Sequence, residues 1–280
     1  MNGIRTGCHL SIRNGYLAAA KAAVRLGAEA YQYFPKNPRS LQTKAFDPRD
    51  AEACRRYCAS AGLVSVAHAP YPVNPAADPA RAEASVQSVR NDLAIAEACG
   101  SIGVVVHFGV WKGDDPLAGY RHVIAWLDRV LEGWTGRAKL LLENEAGDRG
   151  PFGTTPEELA QIRALCARPD AVGFCLDTCH LFASGEWDGR NTAAFVERGH
   201  RTGFWDALEA VHVNDTPYPS GSRRDRHAPP GEGRIGETGF RGLLRLPEIR
   251  RVPLLLETPV SPGYGHPEQM AALRRWAEHP

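Results

Sequence analysis

Nine side chains of metal-ligand type stand out in the sequence: His68, His107, Glu143, Asp177, His180, His212, Asp225, His227 and Glu257. Imidazoles mixed with carboxylates suit zinc, and equally manganese or iron, so the set points to a multi-metal hydrolytic site. Two spacings carry geometry of their own. Asp177-Thr178-Cys179-His180 is a D-x-x-H, which puts both side chains on one side of a helical turn. Asp225-Arg226-His227 is a D-x-H, which puts both on one face of an extended segment. Taken singly, each of the nine is more readily a satisfied core histidine or a hydrogen-bonded carboxylate. Brought together the four carboxylates would repel one another, so cations are expected among them. No cysteine sits at a strand end in this set, which disfavours a structural Cys-rich zinc site.

The elements that must position these residues alternate along the chain. Short β-rich runs are read at Ile4–Leu10, Ala30–Phe34, Val64–His68, Ile102–His107, Lys139–Glu143, Val172–Asp177, Ala210–Val213 and Val252–Glu257. Several are apolar throughout, as strands buried on both faces of a parallel sheet should be. Helical segments lie between them. Asp47-Pro48 and Thr155-Pro156-Glu157-Glu158 supply helix starts, and the run Asp78–Cys99 ends at Gly100. Eight such units without a linker predict an α/β fold, one (β/α)8 TIM barrel over residues 1–280. A doubly wound open sheet is the runner-up, but no Gly-rich phosphate fingerprint follows the first strand. Six ligands then end consecutive strands three to eight at the C-terminal mouth. Two long loops, from Asp177 to about Glu209 and from Asn214 to about Gly236, rise from the same face.

Composition sets outer bounds. The 280 residues are 43% hydrophobic and 23% charged, as in a globular chain with a substantial core. No apolar run approaches the ~20 residues of a membrane span, and the first residues lack a secretory signal. A cytoplasmic protein is expected. The seven cysteines form no CxxC pair and read as small buried apolar residues. A net charge of +1 does not announce a nucleic-acid binder, so any electrostatic footprint must be local.

At the level of motifs the chain resembles the endonuclease IV family of apurinic/apyrimidinic endonucleases. The matching stretches are Gly7-Cys8-His9-Leu10-Ser11, Lys36-Asn37-Pro38-Arg39, His68-Ala69-Pro70-Tyr71, Leu142-Glu143-Asn144 with Ala146-Gly147, Leu176 to His180, His212-Val213-Asn214-Asp215, Gly221 to His227, Gly231-Glu232-Gly233 with Ile235-Gly236, and Leu256-Glu257-Thr258. They run in family order over nearly the whole chain, and all nine family ligands are present. The resemblance implies three divalent ions, zinc with manganese possible at one position. His68, His107 and Glu143 would hold one. Glu143 would bridge to a second, held also by Asp177, His212 and Glu257. His180, Asp225 and His227 would hold the third. Three such ions carry +6 against −4 from the carboxylates, which turns an acidic cleft into a phosphate receptor. A bridged pair lowers the pKa of shared water and a third ion can steady the leaving oxygen, so no protein nucleophile is required.

By the same resemblance the substrate is double-stranded DNA carrying an abasic site, cut 5′ to the lesion to leave a 3′-hydroxyl and a 5′-deoxyribose phosphate. Removal of 3′ blocking groups would use the same chemistry. DNA contacts are expected from Lys36, Asn37 and Arg39 after strand two, Tyr71 and Asn74 after strand three, and Arg223, Arg224 and Arg226 around the D-x-H. Leu41, Pro72 and Phe108 depart from the family pattern and bear on recognition of the lesion. Glu145 and Asp215 are candidates to orient ligands or, equally, solvated loop carboxylates. His9, which matches a family position at the end of strand one, is not assigned to a metal and reads as either a supporting or a plain core residue. One barrel and one cleft suggest a monomer with no obligatory protein partner.

The main rival is a sugar isomerase or epimerase of the related xylose-isomerase-like barrels. Its single ion would use only Glu143, Asp177, His212 and Glu257 and leave the other ligands unexplained. A metal-stabilised DNA-binding barrel without activity is a third reading.

Overall fold

The computed structural model describes residues 3–278. Eight parallel strands close into a barrel in sequence order: β1 (Arg5–His9), β2 (Ala30–Tyr33), β3 (Val64–His68), β4 (Gly103–His107), β5 (Lys139–Glu143), β6 (Val172–Asp177), β7 (Leu208–His212) and β8 (Pro253–Leu256). Helices α1 (Tyr16–Arg25), α2 (Pro48–Ala61), α3 (Glu83–Cys99), α4 (Pro116–Leu131), α5 (Pro156–Leu165), α6 (Thr178–Ser184), α7 (Thr192–Thr202), α8 (Gly236–Leu244), α9 (Pro247–Arg250) and α10 (His266–Glu278) complete the TIM barrel. The start signals act as expected. Asp47 accepts from Arg49 N ahead of Pro48, and Thr155 and Glu158 form a capping box. The stretch Asp78–Cys99 is not one helix. Asp78 caps a short 3-10 turn, Pro79–Arg81, before α3 begins at Glu83. The expected strand at Ala210–Val213 begins two residues earlier and ends at His212.

Side-chain alternation explains why the ligands face inward. The residues two before the six strand-end ligands are Val66, Val105, Leu141, Cys175, Ala210 and Leu255. Together with Ala30 they form one fully buried plug inside the barrel. The alternate residues, among them Ala67, Val106, Leu142, Leu176, Val211 and Leu256, belong to the outer core shared with the helices. Register completes the placement: His107 pairs with Glu143, and Asp177 with His212. The second pairing depends on a bulge. Phe174 pairs with Leu208 but Cys175 with Ala210, so Glu209 is extra. Were the pairing to run on without the bulge, Asp177 would lie opposite Val211, whose side chain faces the helices. Where β1 meets β2, a Cβ on Gly7 would stand 1.8 Å from Ala30 O, so only glycine fits.

The two long loops differ. The one after β6 folds into α6 and α7. The one after β7 has no helix before α8, and a buried carboxylate organises it. Asp215 accepts from the backbone N–H groups of Thr216, Gly231, Gly233, Ile235 and Gly236. Asp215 therefore builds the Gly231–Gly236 segment and does not orient a ligand. All seven cysteines are buried and free. Among the described residues no helix is long and apolar enough to cross a membrane.

Candidate metal centre

The C-terminal mouth is a cleft of about 740 Å³, lined by His68, His107, Glu143, His180, Asp225, His227 and Glu257 together with His9, Phe34 and Tyr71. The nine expected ligands meet there in three groups: His68, His107 and Glu143; Glu143, Asp177, His212 and Glu257; and His180, Asp225 and His227. Within each group the ligand atoms lie within 4.8 Å of one another. Glu143 belongs to two of these groups, and a fourth cluster overlaps them, in which Cys179 joins Asp177 and His227.

Each histidine is turned by the bond its outer nitrogen makes. His68 Nδ1 donates to Ala69 O at 2.7 Å and His180 Nδ1 to Asn144 O at 2.8 Å, since a carbonyl can only accept. Their Nε2 atoms are thereby left as lone-pair donors toward the cleft. His227 Nδ1 reaches Glu257 O at 3.4 Å, and His107 Nδ1 faces the Glu145 carboxylate at 3.8 Å. Glu145 thus stands where a ligand-orienting carboxylate was expected, its other oxygen accepting from Gly109 N at 2.9 Å.

His212 is set the opposite way round, by a residue that sequence reasoning missed. Gln32 Nε2 donates to Glu257 Oε1 at 2.6 Å, and a carboxylate only accepts. Gln32 Oε1 must then take the proton of His212 Nε2, 2.7 Å away. His212 Nδ1 is left facing Glu143 and Glu257 at 2.8 and 3.1 Å. Two asparagines do similar work. Asn144 Nδ2 donates to Asp177 O while its Oδ1 accepts from Asp177 N. Asn214 donates to Asp177 Oδ2 at 2.6 Å and to Glu257 Oε2 at 3.3 Å, and accepts from Glu257 N. Asp177 also caps α6 by accepting from His180 N, which joins the two ends of the D-x-x-H.

The donor set fits cations on three grounds. Glu143 Oε2 is buried without any hydrogen-bond partner, as is His227 Nε2, although the latter stands 3.2 Å from Asp225 Oδ1. Such an arrangement is costly for polar atoms that no cation engages. His68 Nε2 and His107 Nε2 stand 3.6 and 3.5 Å from that orphaned oxygen. Ligand atoms each about 2.1 Å from a tetrahedral ion stand roughly 3.4 Å apart, which matches. The third ground is charge. Glu143 and Asp177 are only 1% and 0% exposed, and two buried carboxylates this close need positive partners. In the protein alone that positive charge falls on protons. Burial pushes the Glu143 carboxyl up, yet His212 and His107 outweigh it and hold the group well below its ordinary value. Burial lowers His107 and His227, but Glu143 and Glu145 beside the first, and Asp225 and Asp177 beside the second, lift each to about 9.

The xylose isomerase-like TIM barrel family matches residues 20–278 of this chain. A probable endonuclease 4 of Symbiobacterium thermophilum is 43% identical over 258 residues, covering 92% of this chain and 94% of its own. The solved structure of endonuclease IV from Thermus thermophilus matches with a TM-score of 0.85 at 34% identity, over 98% of this chain and 99% of that one. The chain belongs to the endonuclease IV family. A D-tagatose 3-epimerase-like protein matches with a TM-score of 0.73 at 20% identity, over 98% and 97% of the two chains, and shares the fold alone.

Within this endonuclease IV barrel the expected DNA-facing residues divide. Asn37, Arg39, Arg223, Arg224 and Arg226 are exposed, and Tyr71 is 65% exposed with its ring 5.2 Å from Phe34. Arg224 lies over the Tyr218 ring at 4.6 Å, and Arg223 has a left-handed backbone at φ 54°. Lys36 is a correction. It is buried, with Nζ donating to Ser88 O and paired with Asp92 on α3, so it reaches no phosphate. Burial lowers its ammonium and lifts the Asp92 carboxyl to about 7, while each offsets the other's penalty. Asn74 is spent on structure too, since it bonds the backbone of Val110 and Ala76. Phe108 is fully buried against Phe152 and Tyr120, away from the cleft, and Leu41 packs on the outer core.

Proposed function

We infer that this chain hydrolyses the backbone of double-stranded DNA at abasic sites. The cut falls 5′ to the lesion and leaves a 3′-hydroxyl and a 5′-deoxyribose phosphate, and 3′ blocking groups are removed at the same centre. The carrying observation is the convergence of all nine ligand-type side chains into three contiguous groups, two of which share Glu143. A one-ion isomerase needs only four of them. The histidines His68, His107, His180 and His227 and the carboxylate of Asp225 would then be buried or half-buried polar groups without a task.

His68, His107 and Glu143 would hold one divalent ion. Glu143, Asp177, His212 and Glu257 would hold a second, and His180, Asp225 and His227 a third. Imidazole and carboxylate donors favour zinc and admit manganese. Bound ions of this kind supply Lewis acidity toward phosphoryl oxygens and lower the pKa of water. The chain's own residues do the rest. Glu143 sets the spacing between two groups, and Gln32, Asn144 and Asn214 hold the ligands in one geometry. Arg39 and Arg226 face solvent near the mouth, where they would neutralise backbone phosphates. Tyr71 presents a flat, exposed ring that would fill the space a missing base leaves. One barrel with one cleft suffices for a duplex, so the active form is taken as a single-domain monomer, and a DNA substrate accords with a cytoplasmic location.

The test is incision of a duplex carrying one tetrahydrofuran abasic analogue by the metal-loaded protein. Cleavage on the 5′ side of the analogue is expected. No cleavage with zinc or manganese, at any loading, would sink the reading.

A further inference from the structure

His9 ends β1 and lines the cleft, yet it belongs to none of the three ligand groups. Its surroundings fix its chemistry. Gln32 Nε2, whose orientation is already set by Glu257 and His212, lies 3.2 Å from His9 Nδ1. An amide nitrogen only donates, so His9 Nδ1 is the acceptor and its proton sits on Nε2. Among the described residues Nε2 has no hydrogen-bond partner. The ring is half-buried and packs on Phe34 at 4.5 Å, and Phe34 touches both His68 and Tyr71, at 5.3 and 5.2 Å. Phe34 thus stands between the ligand cluster and the exposed Tyr71 ring, and His9 adjoins that wall through its packing on Phe34. His9 adds a polar hydrogen to that wall without adding charge.

Resting on the phosphodiesterase reading above, we propose that His9 is a substrate-binding residue, donating its Nε2 proton to a phosphate oxygen of the lesion strand. The role needs the proton on that one nitrogen, and the Gln32 amide holds it there. Burial keeps the ring neutral, with its pKa lowered to about 4 against the pull of Glu257, so donation persists across the working pH range.

Three variants test the assignment. His9→Phe keeps the ring against Phe34 and removes the donor. His9→Gln places an amide near the lost Nε2, whereas His9→Asn places one only near Nδ1. For each, metal content, thermal midpoint, kcat/KM on the tetrahydrofuran duplex and binding of that duplex without added metal are measured. With ion count and thermal midpoint unchanged, His9→Phe and His9→Asn should lose roughly tenfold to a hundredfold in kcat/KM, as expected for a lost bond to a charged acceptor. His9→Gln should recover most of that loss, and metal-free binding should follow the same order. Wild-type kcat/KM in His9→Phe would overturn the proposal. Equal losses in all three variants, accompanied by loss of metal or of thermal stability, would overturn it as well, since His9 would then be structural. Absence of incision by the wild-type protein is a different failure. It would sink the phosphodiesterase reading, while the binding series would still judge His9.

Discussion

His212 Nε2 donates to Gln32 Oε1 across 2.7 Å, and this contact decides which nitrogen of His212 faces the carboxylates. The amide that accepts there also donates to Glu257, so one uncharged side chain positions two ligands of the same group. Gln32→Leu should therefore weaken one divalent ion out of three by about 10- to 100-fold, the usual effect of removing a ligand's outer partner. A competition titration with a chromophoric chelator checks this. Unchanged affinity at all positions would show that the barrel alone fixes His212.

Lys36 and Arg39 lie three residues apart and should behave differently. Lys36→Met leaves Asp92 buried without its partner, which costs about 3–5 kcal/mol of stability and shows as a lowered thermal midpoint. Arg39→Ala should leave stability within about 0.5 kcal/mol but reduce DNA affinity and flatten its salt slope by about 1. Salt-dependent binding and thermal melts of both variants check the contrast. A stable Lys36→Met with a flattened slope would return Lys36 to the DNA surface.

This pair also marks what the sequence could and could not reveal. The strand-end ligands were legible because alternation in a parallel barrel sends every second side chain inward, and the D-x-x-H and D-x-H spacings locked three more into place. Lys36 was not, because its partner lies 56 residues away and no local pattern announces a buried ion pair. Gln32, Asn144 and Asn214 were hidden for a related reason. An amide carries no charge and no periodic signal, and its role appears only when strands distant in sequence are set side by side. Asp215 was legible as polar and close to a ligand, but its five backbone partners lie up to 21 residues downstream.

Metal uptake should expel protons. His107 and His227 titrate at about 9 in the protein without cations, so both are largely protonated at pH 7.5, and a ligand histidine must be neutral. Apparent affinity for zinc should therefore rise with pH through about 9. His180 and His212, which burial lowers but nearby carboxylates raise well above the ordinary value, add to the same trend. Calorimetry of zinc binding in buffers of different ionisation enthalpy measures the proton count directly. Net release at pH 7.5 that falls as the pH rises through about 9 is the expected result, whereas no release at pH 7.5 would mean that the carboxylates do not charge these rings.

If the two groups that share Glu143 form the phosphodiester-cleaving centre, the bridging carboxylate must be indispensable to the chemical step. Single-turnover incision of the tetrahydrofuran duplex by Glu143→Gln, compared with wild type at saturating metal, puts that requirement to the most direct trial. The expected rate is lower by at least about 10³-fold, with the barrel still folded by circular dichroism. Incision at the wild-type rate would show that Glu143 joins no two ions and that the chemistry lies elsewhere.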